Sequence, residues 1–360
     1  MIRMGNTTIE WTWQRLPGGG LIIEGRTVNG WSGCTKVILP SGKPDPQCMH
    51  CYAEREEDKR RGRSRWGRGN PRTLFKSWSA NMRKWNEEAK KLGVAPFVFG
   101  HSLSDWADEE VPDAWRDAIM DVAEKCTNLV MLWLTKRVEY AAEYWHRRYP
   151  TGIPDNFYFG FSAGNVEGFL TRAKWASIVP AAVKFVSIEP YVEPFAELLR
   201  MNVKRPEGWA GGWRPLVDWV LTGGETDTFE RIASRIVHSS HYEDVIDVAH
   251  EAGLWGHFKQ WGNLAPLTQS LGGVVPVRIA GVTRSGIHIV DMRIEGRAVE
   301  GPDIVSGRVT VEQLKEAFGI APDDDLEIHG FLGGPQGKHA HGRMLNGREV
   351  HEHPPARLIA

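Results

Sequence analysis

Residues 129–137 read Leu-Val-Met-Leu-Trp-Leu-Thr-Lys-Arg, an apolar run that ends abruptly in three polar side chains. Similar apolar runs recur at 97–99, 157–161, 183–186, 219–221 and 257–258. Between them lie stretches with the apolar spacing of amphipathic helices, at 112–125, 138–149, 166–177 and 241–252. Strand and helix alternating at this spacing predict a parallel sheet with right-handed crossovers. We therefore expect an α/β protein with a full or partial (β/α) barrel of the TIM type.

Two elements are expected before this alternation begins. Residues 7–13, Thr-Thr-Ile-Glu-Trp-Thr-Trp, have the β-branched and aromatic content of a first strand. A helix is expected around residues 77–92. The cysteine-containing loop that follows the first strand should open onto the same face as the other loops that follow strands.

Polar side chains follow each apolar run at the same phase. In TIM-type barrels the catalytic groups lie at this carboxyl end of the strands, although any strand must end in something polar. Cations there suit a carboxylate ligand, and acids suit an amino group or hydroxyls. A buried ion pair at the barrel mouth is the alternative interpretation of Lys136 and Glu225. The candidate contacts to cofactor or substrate are Ser104, Asp105, Lys136, Glu189 and Glu225.

Three of the four cysteines, Cys34, Cys48 and Cys51, lie within eighteen residues. A Cys-x2-Cys pair with a third thiolate from an upstream loop forms a site for a soft metal. Three ligands leave one coordination position open for chemistry, whereas a structural zinc needs a fourth ligand. His50 and His101 are the candidates for that fourth ligand.

Composition excludes several classes of protein. The 360 residues are 41% hydrophobic and 25% charged, with a formal net charge of -1. This balance gives no overall attraction to nucleic acid or membranes. Clustered cysteines do not form a disulfide framework, and no apolar signal region or membrane span is evident. We expect a protein of the reducing cytoplasm with no membrane partner.

A strongly basic segment extends from Lys59 to Arg72. Such a segment is often a solvated loop. Arginines interleaved with glycine and a tryptophan also suit phosphate contact and base stacking. The segment favours a DNA, RNA or nucleotide substrate. The residues expected to contact it are Arg60, Arg61, Arg63, Arg65, Trp66 and Arg68.

Short motifs spread along the chain carry a resemblance to a known family. They are Ile9-Glu10-Trp11-Thr12, Gly33-Cys34-Thr35-Lys36-Val37, Cys48-x2-Cys51-Tyr52-Ala53-Glu54, Ser104-Asp105 followed by Val111-Pro112, Leu134-Thr135-Lys136-Arg137, Ser187-Ile188-Glu189-Pro190, Asp218-Trp219-Val220-Leu221-Thr222-Gly223-Gly224-Glu225 and Phe258-Lys259-Gln260-Trp261-Gly262. With these motifs the chain resembles the phage-associated three-cysteine family. That family is grouped with the radical S-adenosylmethionine (SAM) enzymes and is similar to spore photoproduct lyase. The resemblance covers residues 7–262 and returns at 342–350.

The resemblance implies a [4Fe-4S] cluster on Cys34, Cys48 and Cys51, whose open iron binds SAM. An electron from a donor such as flavodoxin or ferredoxin would then cleave SAM to a 5′-deoxyadenosyl radical. His50 and Tyr52 are expected to flank the adenine, although Tyr52 could simply pack under the loop. Lys136 and Glu189 are expected at the cofactor, and both are catalytic candidates together with Glu225. One departure is the thirteen residues between Cys34 and Cys48, where radical SAM enzymes mostly have Cys-x3-Cys-x2-Cys.

The expected organisation is a radical SAM-like barrel at 1–262 with a cluster loop at 33–54, a strand-rich accessory insertion at 263–338, and a tail at 339–360 that returns to the barrel. Two other functions are compatible with the residues. One is a zinc-stabilised nucleic-acid-binding protein without SAM turnover. The other is a barrel with a redox-sensing cluster.

Overall fold

A computed structural model of the protein describes residues 7, 9–16, 22–204, 214–225, 235, 237–262, 264–266, 278–284, 286–293, 315, 320–331, 344–345 and 348–359. Its main feature is a seven-stranded parallel sheet that curls into a half-barrel flanked by helices. The strands lie side by side in chain order. They are β1 (Arg26–Val28), β2 (Phe97–Gly100), β3 (Val130–Thr135), β4 (Phe157–Ser162), β5 (Val183–Ile188), β6 (Trp219–Thr222) and β7 (Trp255–Phe258).

Six helices connect the seven strands, one between each strand and the next. The helices are α1 (Trp78–Leu92), α2 (Asp113–Lys125), α3 (Val138–Arg148), α4 (Val166–Ala176), α5 (Ala196–Val203) and α6 (Ser239–Glu251). The alternation predicted from residue 97 onward is therefore confirmed. Because the strand order runs from β1 at one edge to β7 at the other, the described strands form a partial rather than a closed barrel.

The strands are apolar on both sides because both faces of the sheet are covered. In β3, Val130 and Leu132 point into the concave face, whereas Met131 and Trp133 pack against the helices. This division follows the two-residue period of a strand. Trp11 closes the concave face, with its ring centroid 5.0 Å from that of Phe99.

The predicted first strand at residues 7–13 is wrong. Glu10–Thr12 form a 3-10 helix, and the first strand of the sheet is the short segment β1. Trp11, one of the aromatic residues that indicated a strand, is instead buried in the core of the barrel. Tertiary packing thus overrides the local β preference of this segment.

The expected accessory region contains a four-stranded antiparallel sheet of order β8-β11-β9-β10. Its strands are β8 (Leu264–Pro266), β9 (Arg278–Thr283), β10 (Gly286–Arg293) and β11 (Glu327–Phe331). Glu327 connects it to the barrel, because its carboxylate accepts a 2.7 Å hydrogen bond from the backbone N of Ser239 at the start of α6. Arg284 pairs with Asp244 of the same helix at 2.6 Å.

Residues 350–358 pack along the outer edge of β7 and then beside the amino end of β2. His351 forms an antiparallel bridge with His257 of β7, and Ala95 just before β2 donates to the backbone oxygen of Arg357. Three short antiparallel pairs complete the strands: Gln14–Arg15 with Ile22–Ile23, Trp31–Ser32 with Thr73–Leu74, and Met344–Leu345 with Arg348–Glu349. Among the helices that the structure describes, none is long and apolar enough to cross a membrane.

Candidate functional site

The cysteine loop begins directly after β1 and opens at the carboxyl edge of the sheet. Gly33 bridges to Ser104 beyond β2, and its φ of +103° is a backbone conformation that favours glycine. A Cβ on Gly33 would lie 2.8 Å from the backbone oxygen of Arg65, so a side chain would not fit. The loop therefore lies on the predicted face, although the strand before it differs from the one expected.

Two short helical turns carry the Cys-x2-Cys pair. Pro46–Met49 begins at Asp45, whose side chain accepts a hydrogen bond from the backbone N of Gln47. An Asp N-cap followed by Pro at the first helical position is a standard way to start a helix. Tyr52–Glu54 follows Cys51 and leads into a π-helical segment, Arg55–Arg60.

All four cysteines have free thiols, and the three in the loop interact with one another electrostatically. Cys48 is buried, while Cys34 and Cys51 are partly exposed. Burial raises the pKa of Cys34 to about 12 and also raises the pKa of Cys48. Within the described residues, no group of three or more His, Cys, Asp or Glu side chains is arranged to hold a metal ion. The loop thus brings the thiols near one another without converging them on one point.

Two cations lie next to these thiols. Burial lowers the pKa of Lys136, but the nearby Cys48, Asp45 and Cys51 outweigh it, so the net shift is upward. The Arg137 guanidinium lies 3.5 Å from Cys34 Sγ. Lys136, which is partly exposed, and Arg137, which is buried, together place positive charge around all three cysteines.

Asp105 holds the ends of two strands together. Its Oδ1 accepts hydrogen bonds from Thr135 Oγ1 and the backbone N of Ala107, and its Oδ2 accepts from the backbone N of Lys136 and from Arg137 Nη1. Burial raises the pKa of Asp105, but Arg137 and these hydrogen bonds outweigh it, so its pKa lies below the ordinary value. Both oxygens are already used within the protein, which argues for a positioning role.

Ser104 is similarly engaged by its neighbours. Its hydroxyl donates to the backbone oxygen of Trp31 at 3.1 Å, so it accepts from Nδ1 of His101 at 2.8 Å. Burial lowers the pKa of His101 to about 3. This histidine is therefore neutral and lies beneath the loop with its ring 4.1 Å from that of Trp31.

Glu189 lies at the end of β5 among polar partners from β7. Its Oε2 accepts from Lys259 Nζ at 2.8 Å, and its Oε1 accepts from Gln260 Nε2 at 2.9 Å. Lys259 also donates to Ser187 Oγ at 2.9 Å and lies over the Trp11 ring. The Glu189 side chain remains 24% exposed, which leaves it accessible at the mouth.

Glu225 joins the end of β6 to the cysteine loop. Its carboxylate lies 3.1 Å from Arg235 Nε and 2.9 Å from Nδ1 of His50. The ion-pair interpretation therefore holds for Glu225, but with Arg235 as the cation in place of Lys136. Arg235 also donates to the backbone oxygen of Pro46 at 2.6 Å, which anchors the turn that precedes Cys48.

The two expected adenine neighbours lie on opposite sides of the loop. Tyr52 is 47% exposed, and its hydroxyl donates to the backbone oxygen of Ser102 after β2. Its ring is therefore not packed under the loop. His50 is held by Glu225 and Arg235, on the β6 side.

The basic segment packs directly against the cysteine loop, since the backbone N of Gly67 donates to the oxygen of Cys34 at 3.0 Å. The three acids just before it, Glu56, Glu57 and Asp58, bind several of its members. Arg60 pairs with Glu56, Arg61 with Glu56 and Glu57, and Arg63 with Glu57, while Asp58 accepts from the backbone N atoms of Arg65 and Trp66. Arg68 is exposed.

Trp66 is only 8% exposed and Arg72 forms a buried ion pair with Asp108. These two residues are structural, because neither presents its side chain to solvent. Arginine side chains, and not the indole, are the groups that this segment offers to a phosphate.

Several residues of the site carried weak signals in the sequence. Arg137, Lys259 and Gln260 belong to the polar strand ends, yet nothing local distinguishes them from their neighbours. Asp45 could have been found from the Asp-Pro signature of a helix start. Arg172, within α4, carries no local signal of its role and is identified only by its contacts.

Comparison with known proteins places the chain in a family. Neither the curated proteins nor the solved structures compared with it include a match. The family described as "Protein of unknown function (DUF5131)" matches residues 6–354, including the region that holds the accessory sheet. Because this match spans nearly the whole chain, the protein belongs to that family.

Proposed function

We propose that the protein is a radical SAM enzyme that carries a [4Fe-4S] cluster on Cys34, Cys48 and Cys51 and acts on a nucleic acid or nucleotide. The observation that carries the proposal is the position of these three thiols. They lie at the carboxyl edge of a half-barrel, next to the partly exposed cation Lys136 and the buried cation Arg137. This edge is where barrel enzymes place their chemistry.

The donor set fits such a cluster better than a single metal ion. Each thiolate of a cubane cluster binds a different iron atom, so the three sulfurs need to face one space without converging on one point. A zinc ion requires convergence and a fourth ligand. Both histidine candidates have other partners, since His50 binds Glu225 and His101 binds Ser104. Lys136 and Arg137 would offset the negative charge of thiolate ligands.

When bound, the cluster and SAM supply a hydrogen-abstracting radical, and the protein supplies binding and orientation. Lys136 would offset the negative charge of the Cys48 and Cys51 thiolates, and Arg137 would offset that of the Cys34 thiolate. Glu189 and Glu225 are carboxylates held in place by Lys259 and Arg235. Fixed carboxylates at the mouth suit an amino group or hydroxyls.

The basic segment supports a polyanionic substrate. Arg60, Arg61, Arg63 and Arg68 are exposed, and the segment adjoins Cys34 through Gly67. Because the chain has almost no net charge, the positive field of these arginines is local. Phosphate contact by arginine side chains would depend strongly on salt concentration. We further propose a cytoplasmic location, where thiols remain reduced, and a flavodoxin- or ferredoxin-like electron donor.

Anaerobic reconstitution with iron and sulfide tests the cluster. We expect brown protein with about four irons per chain, as the cluster formula requires, and an electron paramagnetic resonance (EPR) signal that changes on adding SAM. Cys34→Ala, Cys48→Ala and Cys51→Ala should each lose iron, whereas the matched control Cys126→Ala should retain it because Cys126 is buried away from the loop. Stoichiometric zinc with no bound iron would contradict the proposal and favour the zinc alternative.

Two assays separate turnover from simple binding. Formation of 5′-deoxyadenosine with SAM and a reductant would distinguish the enzyme from a redox-sensing protein. For the substrate, binding of single-stranded DNA or RNA should weaken with salt, and combined Arg60→Gln, Arg63→Gln and Arg68→Gln changes should reduce the salt slope by up to about three. Binding whose affinity is unaffected by salt concentration and by these substitutions would contradict the nucleic-acid part of the proposal.

A further inference from the structure

Arg172 lies where the cysteine loop meets the ends of two strands. The residue is 2% exposed, and α4 carries it to the carboxyl edge of the sheet. Its Nη1 donates to the backbone oxygen of Ser162 at the end of β4 at 2.8 Å, and its Nε donates to the backbone oxygen of Lys136 after β3 at 2.9 Å. Its Nη2 forms an ion pair with Asp45. One guanidinium thus joins three separate elements of the fold.

Asp45 links Arg172 to the turn that carries Cys48. Its carboxylate is fully buried, and its second oxygen accepts from the backbone N of Gln47 at 2.7 Å. The backbone oxygen of Asp45 accepts from the backbone N of Cys48 at 2.8 Å. The turn that carries Cys48 is therefore attached to Asp45 through side chain and main chain, and Asp45 is attached to the strand ends through Arg172.

Arg172 also fixes the backbone of Lys136. Its backbone oxygen is bound by Arg172, and its backbone N donates to Asp105 at 3.0 Å. Both backbone polar groups of Lys136 are therefore fixed. Arg172 thus binds both the backbone of Lys136 and Asp45, which carries the Cys48 turn.

We infer that Arg172 is a positioning residue that sets the placement of the Cys48 turn relative to the carboxyl ends of β3 and β4. A planar guanidinium can reach three acceptors in different directions, which the single ammonium of lysine cannot do with the same geometry. The relevance of this role to a cluster rests on the function proposed above. The positioning itself is a property of the protein alone and can be measured without iron.

Hydrogen exchange and thiol alkylation of the metal-free protein test the inference. In Arg172→Gln, we expect the amides of residues 45–51 to exchange at least about tenfold faster, because the loop loses the ion pair between Asp45 and Arg172. Alkylation of Cys48 should accelerate to a similar extent. Arg172→Lys should show an intermediate effect. Cys126 serves as an internal reference whose alkylation should not change.

Arg26→Gln is the matched control for a loss of general stability. Arg26 is 5% exposed and pairs with Glu88 at 3.1 Å, on the β1 edge of the sheet. At equal unfolding free energy, this variant should leave the exchange of 45–51 unchanged. Equal loop exchange in the Arg26 and Arg172 variants, or a lysine variant identical to wild type, would overturn the inference.

Asp45→Asn tests the same connection from the loop side if Arg172→Gln does not fold. It should also release the loop, and an unchanged rate of Cys48 alkylation would count against the inference. After reconstitution, the Arg172→Lys protein should bind iron but show a broadened EPR signal. A wild-type protein that takes up no iron would refute the proposed function, whereas the exchange measurements would still decide the role of Arg172.

Discussion

Replacing Asp105 with asparagine should destabilise the protein strongly, although only one oxygen is exchanged for nitrogen. The new amide oxygen can keep the bonds from Thr135 Oγ1 and the backbone N of Ala107 that now reach Oδ1. The new NH2 group would face two donors, the backbone N of Lys136 at 3.0 Å and Arg137 Nη1 at 3.1 Å. The change therefore leaves two buried donors unsatisfied and removes the nearest counter-charge of Arg137.

Each unsatisfied buried donor costs about 1–3 kcal/mol, and breaking a buried ion pair costs about 3–5 kcal/mol. These figures overlap because they describe the same contacts, so we expect the unfolding free energy to fall by about 3–5 kcal/mol. Equilibrium unfolding in urea, followed by tryptophan fluorescence, measures this change. The slope of the transition should stay the same if only stability has changed.

Asp247→Asn is the matched control. Asp247 also pairs with an arginine, Arg348, but both side chains are about 60% exposed, so its loss should cost less than about 1 kcal/mol. The pKa of Asp105 is lowered, so its contribution is present above the ordinary aspartate pKa of about 3.9 and is lost as the pH falls below it. The difference between wild type and variant should shrink below that pH. A loss of under about 1 kcal/mol at pH 7 would refute this account of Asp105.

Three further predictions concern other parts of the fold. Because burial lowers the pKa of His101 to about 3, unfolding free energy should fall as the pH drops below about 6.5, and His101→Asn should abolish that part of the slope in urea titrations. In Gly164→Ala, the Cβ would lie 2.3 Å from the backbone oxygen of Pro190 and 2.9 Å from Gln47 Cγ, so hydrogen exchange of the cysteine loop should rise; an unchanged loop would contradict the packing. Glu327→Gln should accelerate proteolysis of the accessory sheet but not of the barrel, and equal rates in both would show that this carboxylate does not attach the sheet.

The alternation of strands and helices was predictable because each element carries its own periodic signal. A strand buried on both faces reads as a continuous apolar run, as in β3, and a helix shows an apolar stripe. The prediction of a strand at residues 7–13 was wrong because the apolar side chains of this segment pack into the barrel core without forming a strand. Trp11 is buried by packing against residues far away in the chain, and its neighbours in sequence cannot reveal this.

The location of the candidate site could be predicted from the sequence, but the partners of its side chains could not. The position of each polar group after a strand indicated a common edge, and the cysteine spacing indicated soft ligands. The structure decided that Glu189 pairs with Lys259 and that Glu225 pairs with Arg235. The nucleic-acid contacts expected of the basic segment depend on its arginines, since Trp66 is buried.

The sequence by itself determined the α/β class, the alternation of strands and helices from residue 97 onward, the edge that bears the polar groups and the three clustered cysteines. These features depend on residues that are close together along the chain. Only the tertiary structure decided that the described strands form an open barrel, that Arg137 lies beside Cys34, and that Arg172 joins Asp45 to the ends of two strands. Such contacts depend on the curl of the sheet and the path of each loop, which bring together side chains that are far apart in the chain, such as Asp45 and Arg172, 127 positions apart.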